Sequence, residues 1–97
     1  IISGGENIYP AQVENVLSEH ENVQSVAVVG IPDEKWGQLV TAFIVKRHEG
    51  LTEKELDEYC LQSAHLPRFK RPRRYVFVDT LPTTSSGKVD KKLLRAR

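Results

Sequence analysis

A lysine at the end of a small-residue loop is the first group here equipped for chemistry. Lys88 closes the run Leu81-Pro82-Thr83-Thr84-Ser85-Ser86-Gly87-Lys88. Thr, Ser and Gly add little bulk, so a mobile loop is expected, with Lys88 carried on a flexible arm. An ammonium on a long stem acts as a point charge for phosphate or carboxylate oxygens. The same residues equally describe a solvated lysine in an exposed loop. They are not a P-loop: Pro82 stands where G-x-x-x-x-G-K-[ST] needs its first Gly, and Val89 replaces the Ser/Thr.

Three further stretches hold reactive or binding residue types. Ser3-Gly4-Gly5-Glu6 permits positive φ and close backbone approach to a ligand, or serves as an ordinary tight turn. Two adjacent glycines are not a dinucleotide fingerprint. Trp36, the only Trp, falls in a Gly-flanked loop, where it covers a ligand channel or packs over a sheet edge. Phe69-Lys70-Arg71-Pro72-Arg73-Arg74 offers guanidinium forks for phosphate and a ring face for a base. A solvated basic loop or a localisation-signal-like peptide fits the same composition. His20, His48 and His65 lie far apart, without partners at ligand spacing, so no metal site is expected. No nucleophile–His–Asp set suggests itself.

The elements that must position these residues can be read from periodicity. Pro10 suits the first turn of a helix over residues 11–19, with Val13, Val16 and Leu17 recurring on one side. Residues 23–31 are β-branched and apolar, the pattern of a central strand, and residues 38–47 form a second strand antiparallel to it. Residues 32–37 connect them. Thr52 caps a second helix running to about residue 64, with Glu55 closing a capping box and Leu56, Tyr59, Cys60 and Leu61 inward. Residues 66–72 are broken by two prolines, residues 74–79 alternate as a third strand, and residues 90–97 form a final helix with Leu93 and Leu94 inward. The sum is an α+β domain: a small mixed sheet of about three strands flanked by helices.

At 97 residues, 39% apolar and 28% charged, the chain reads as one soluble globular domain. It opens on Ile1 in mid-motif, which predicts a piece of a longer protein. No apolar run is long enough to span a membrane, no signal peptide is visible, and the lone Cys60 argues against a disulfide framework. A reducing, cytoplasmic setting is expected. The net charge of +1 hides an asymmetry: residues 1–64 hold four Lys/Arg against eleven Asp/Glu, and residues 65–97 hold ten against two. A basic end facing an anionic partner follows.

Taken together and in order, these motifs resemble one family. Ser3-Gly4-Gly5-Glu6-Asn7-Ile8-Tyr9-Pro10 with Val13-Glu14, Gly30-Ile31-Pro32-Asp33, Trp36-Gly37-Gln38, Phe69-Lys70-Arg71-Pro72 and Ser86-Gly87-Lys88 look like the C-terminal domain of acyl-adenylate-forming enzymes. The resemblance spans the whole chain, and its Trp-Gly-Gln and Phe-Lys-Arg-Pro elements look most like aryl-CoA ligases of the 4-chlorobenzoate type. It implies a single lid domain over residues 1–97, starting just after a hinge, with a large N-terminal domain outside this chain.

The resemblance also implies a reaction, ATP-dependent acid–CoA ligation, and a partner, the N-terminal domain of the same enzyme. A carboxylic acid, possibly aromatic in that type, reacts with ATP to give acyl-AMP and pyrophosphate; CoA then takes the acyl group. Mg²⁺ and ATP would be held mainly by the N-terminal domain, and this domain alone would be inactive. Lys88 matches the lysine serving adenylation, at a site where acetylation switches relatives off. Gly5, with Gly4 and Glu6 beside it, matches the glycine past which the pantetheine arm runs. Trp36 matches a residue lining the CoA path; Phe69, Arg71 and Arg73 match positions holding the CoA nucleotide, with Lys in place of Arg73 in some relatives. Two alternatives stand beside this reading. One is an adenylation domain loading a carrier-protein pantetheine, which the 69–74 cluster disfavours because a carrier brings no adenosine 3′-phosphate. The other is a basic nucleic-acid-binding module, disfavoured by the acidic first two-thirds.

Overall fold

The computed structural model describes residues 1–96. Strands β1 (Ile2–Ser3) and β2 (Glu6–Asn7) pair antiparallel with Ser3 opposite Glu6, so only Gly4 and Gly5 connect them. Their φ angles of +59° and +85° are the two left-handed residues that a two-residue type I′ turn demands. The tight turn allowed for at Ser3-Gly4-Gly5-Glu6 is thus the bend of a hairpin. Helix α1 (Pro10–Ser18) follows, with Pro10 in its first turn and Val13, Val16 and Leu17 buried.

Strands β3 (Val23–Asp33) and β4 (Gly37–Lys46) form a long antiparallel ladder from Val23↔Lys46 to Asp33↔Gly37. Helix α2 (Glu53–Gln62) is capped by Thr52, whose Oγ1 accepts the Glu55 N–H at 3.2 Å. A full capping box is not what Glu55 makes. Its carboxylate lies 2.9 Å from His20 Nε2, while His20 Nδ1 accepts the Asn22 N–H. That exchange ties the end of α1 to the start of α2. Leu56 and Cys60 of α2 are buried, and Tyr59 and Leu61 are half-buried.

After a 3₁₀ turn at Arg68–Lys70, strand β5 (Arg74–Phe77) joins β4 in parallel. The order β3-β4-β5 makes β4 the middle strand, so the stretch expected to be central lies at an edge. Its apolar run reflects helices on both faces rather than neighbours on both sides. Side chains alternate between two cores. Val28, Val40, Ala42, Ile44 and Tyr75 face α1 and α2, while Ala27, Val29 and Phe43 face the last helix, α3 (Lys91–Arg95). The small mixed sheet between helices is the α+β architecture the sequence implies.

Helix α3 is shorter than the one expected over residues 90–97, and Arg97 lies outside the described residues. Asp90 Oδ1 caps it by accepting the Leu93 N–H at 3.3 Å. Only Leu94 points inward; Leu93 is 56% exposed, against the expectation that both are buried. Among the described residues, no helix is long and apolar enough to cross a membrane.

Candidate functional site

The β1–β2 hairpin is held against the β3–β4 turn by backbone and side chain together. Gly4 N–H donates to the Trp36 carbonyl at 2.9 Å, and the Ile2 N–H donates to Gln38 Oε1 at 2.8 Å. Asp33 shapes the turn, its Oδ2 accepting the N–H groups of Lys35 (3.0 Å) and Trp36 (2.9 Å). The two glycines differ in their surroundings. A Cβ on Gly4 would stand 2.9 Å from Trp36 Cε3, whereas a Cβ on Gly5 would meet nothing within 4 Å. Gly4 is explained by the indole beside it. Gly5 leaves an open margin at the hairpin tip, with Glu6 exposed next to it.

Trp36 also meets the basic segment. The Arg73 guanidinium carbon lies 3.8 Å from the indole ring centroid, and the Lys35 ammonium lies 5.3 Å from it. A flat guanidinium on an indole face is a favourable cation–π arrangement. Backbone pairing sets this meeting: the Arg73 N–H donates to the Val40 carbonyl at 2.9 Å, just before β5 begins. Beside it runs a groove of about 410 Å³ lined by Glu53, Lys54, Asp57, Arg71, Pro72, Arg73 and Tyr75. Arg71 Nε donates to Asp57 Oδ1 at 2.9 Å and its Nη1 to the Arg68 carbonyl at 2.8 Å, leaving the rest of its fork for a ligand. Phe69 is 48% exposed on the 3₁₀ turn and outside that groove's lining. The predicted cluster therefore divides: Arg71 and Arg73 share a groove, Trp36 stacks on Arg73, and Phe69 stands nearby on the surface.

Lys88 sits elsewhere, and not on a floppy arm. Thr83 and Val89 form a bridge, Thr84 N–H donates to the Lys88 carbonyl at 2.7 Å, and Gly87 N–H donates to the Thr84 carbonyl at 2.9 Å. Asp90 N–H closes the base on the Pro82 carbonyl at 2.7 Å. Gly87 at φ +86° makes the turn. The expected mobile loop is a hydrogen-bonded hairpin with Lys88 exposed beside its tip. Its base borders Gln24, Ser25 and Val26, at the start of β3. The Trp36 turn lies at the other end of that strand. About eight residues separate them, roughly 25 Å at a strand's rise.

Asp33, Gln38 and Glu14 stood in the quoted motifs without a role; Asp33 had a readable signal, an Asp whose side chain can accept N–H groups two and three residues on. The contacts of Gln38 and Glu14, and Asp57 altogether, were not legible, because their partners are distant in sequence. Lys35, beside Trp36, was passed over. Among the described residues, no three His, Cys, Asp or Glu side chains gather to hold a metal ion. Cys60 is buried; the Tyr75 hydroxyl donates to its Sγ at 3.7 Å, and burial pushes both the thiol and the phenol up from their ordinary pKa values.

A small α+β domain with a tethered glycine hairpin at one end and a lysine hairpin at the other is a recognisable class. The chain belongs to the AMP-binding enzyme C-terminal domain family, whose model matches residues 12–88. It is 47% identical over 97 residues to a 2-succinylbenzoate–CoA ligase of Listeria monocytogenes, covering 100% of this chain and 20% of that protein. It is 48% identical over 95 residues to a 4-chlorobenzoate–CoA ligase of a Pseudomonas species, covering 97% of this chain and 18% of that protein. Among solved structures, a Mycobacterium tuberculosis fatty acyl CoA synthetase matches with a TM-score of 0.92 and 42% identity, covering 99% of this chain and 19% of that one. The chain thus spans about a fifth of the length of these relatives.

Proposed function

We propose that this chain is the lid domain of an AMP-forming acid–CoA ligase, working against a larger N-terminal domain and serving two half-reactions with its two ends. The observation that carries this reading is that the base of the Lys88 hairpin borders Gln24, Ser25 and Val26 at the start of β3, whereas Trp36, with Gly4 and Arg73 against it, follows the end of that strand at Asp33. One lid orientation cannot bring both to the same reacting atoms, so the two ends act in turn.

In the first half-reaction a carboxylate oxygen bonds to the α-phosphorus of ATP and the bond to pyrophosphate breaks. Lys88 supplies a positive charge from a hairpin whose backbone is already fixed, reaching carboxylate and phosphate oxygens as charge redistributes. In the second, the CoA sulfur bonds to the acyl carbon, AMP leaves and the thiol proton is released. Here Gly5 keeps the hairpin tip free of a Cβ, Trp36 walls the path, and Arg71 and Arg73 offer forks to the nucleotide phosphates. Phe69 presents a ring face to the base from the adjoining turn. ATP and its Mg²⁺ fall mainly to the N-terminal domain. The choice of acid falls there too. A cytoplasmic setting agrees with a buried, reduced Cys60.

The test is a half-reaction split in the full-length enzyme. Lys88→Ala stops pyrophosphate release yet still converts supplied acyl-adenylate to thioester. Gly5→Leu releases pyrophosphate yet forms thioester slowly. Equal loss of both half-reactions in each variant would overturn the reading.

A further inference from the structure

We propose that Glu14 and Lys91 form a positioning latch that fixes the Lys88 hairpin for adenylation. Glu14 Oε2 accepts the Val28 N–H at 2.8 Å and lies 3.0 Å from Lys91 Nζ. One carboxylate thereby joins α1, β3 and α3. Because α1 and α3 cover opposite faces of the sheet, this contact closes around the free edge of β3. The edge needs it. Val28 would otherwise present an unpaired donor there, and Pro32, on the same outward row, has none to present. Both side chains of the ion pair are partly buried, at 24% exposure for Glu14 and 34% for Lys91, so solvent screens it less than a surface pair.

The link from the latch to Lys88 is short. Helix α3 has five residues, too few to hold a helix by themselves. It depends on the Asp90 cap, buried Leu94 and the Glu14 contact. Asp90 N–H also closes the hairpin base on the Pro82 carbonyl. Freeing Lys91 therefore loosens α3 at its first turn, directly beside the hairpin arm that carries Lys88 and Val89. A lysine working by position loses rate when it is displaced by an ångström. Glu14 and Lys91 touch no substrate in this scheme, and the inference rests on the role proposed above for Lys88.

The experiment measures both half-reactions and thermal unfolding of the full-length enzyme carrying Glu14→Gln, Lys91→Met, Lys91→Arg or Lys88→Ala. Glu14→Gln keeps an acceptor for Val28 and removes only the charge. Glu14→Gln and Lys91→Met are expected to slow pyrophosphate release roughly ten- to a hundredfold, with thioester formation from supplied acyl-adenylate held within about twofold. Lys91→Arg restores the first step. Unchanged adenylation in Glu14→Gln and Lys91→Met, alongside its loss in Lys88→Ala, would overturn the latch and leave the role of Lys88 standing. A parallel fall of both half-reactions with melting temperature would overturn it too, by reducing the latch to fold stability. Intact adenylation in Lys88→Ala would sink the role of Lys88, and the latch with it.

Discussion

Arg73 lays its guanidinium 3.8 Å from the centroid of the Trp36 indole, joining the strand-entry segment of β5 to the β3–β4 turn. The pair holds the indole and the guanidinium against each other, while the neighbouring Arg71 pairs with Asp57. Such a contact is worth about 0.5–1 kcal/mol where solvent reaches it. Arg73→Ala is expected to raise the CoA KM of the second half-reaction about tenfold, the scale of one lost charge-assisted hydrogen bond, while pyrophosphate release is unchanged. Trp36 is the only Trp of these 97 residues, so in this domain by itself fluorescence reports the loss of the stacked cation directly. An unaltered emission spectrum would show that the stack does not persist in solution.

The neighbouring glycines are expected to fail differently. Both have left-handed φ, so alanine at either costs about 1–2 kcal/mol of backbone strain. Only at Gly4 does the new methyl also strike the indole, at 2.9 Å from Cε3. Gly4→Ala should therefore lower the melting temperature more than Gly5→Ala and shift Trp36 emission. Equal melting temperatures would mean that the hairpin does not rest on Trp36.

Much of this was legible in the residues, and the gaps have physical causes. Apolar runs marked β3 and β4, but which strand lies in the middle depends on β5, whose parallel pairing no local pattern encodes. Leu93 and Leu94 read alike because a five-residue helix is too short for periodicity to define a face. Residues 81–88 look mobile by composition. They are ordered by backbone hydrogen bonds, 84 to 88 and 90 to 82, that side-chain types do not reveal. Trp36 could be placed in a loop, yet its companions Gly4 and Arg73 come from opposite ends of the chain. Glu14 stood in a quoted motif, but nothing in the sequence tied it to the Val28 N–H on the strand edge.

The Thr52 cap gives a direct stability test. Its hydroxyl accepts the Glu55 N–H, one of the donors left open at the start of α2. Thr52→Ala is expected to cost about 1 kcal/mol, lowering the melting temperature of a domain this size by roughly 4–8 °C. Thr52→Ser should recover most of it. A loss as large in the serine variant would assign the effect to packing instead of the cap.

Alkaline conditions should destabilise the fold through Cys60 and Tyr75. Burial raises both pKa values, from ordinary values of 9.0 and 10.0, and the tyrosine hydroxyl donates to the sulfur. An unfolded chain releases these protons once pH passes about 9, whereas the folded chain keeps them. The unfolded state then binds fewer protons, and stability falls as pH rises. Below about pH 9 both states hold both protons, and these two groups contribute no slope. Melting temperature is therefore expected to drop between pH 9 and 11 more steeply in the native sequence than in the Cys60→Ala, Tyr75→Phe double variant. That variant loses packing and starts lower at pH 7, so the slope is the informative quantity. Parallel slopes would overturn the assignment, since removing the two buried acids would then have changed nothing.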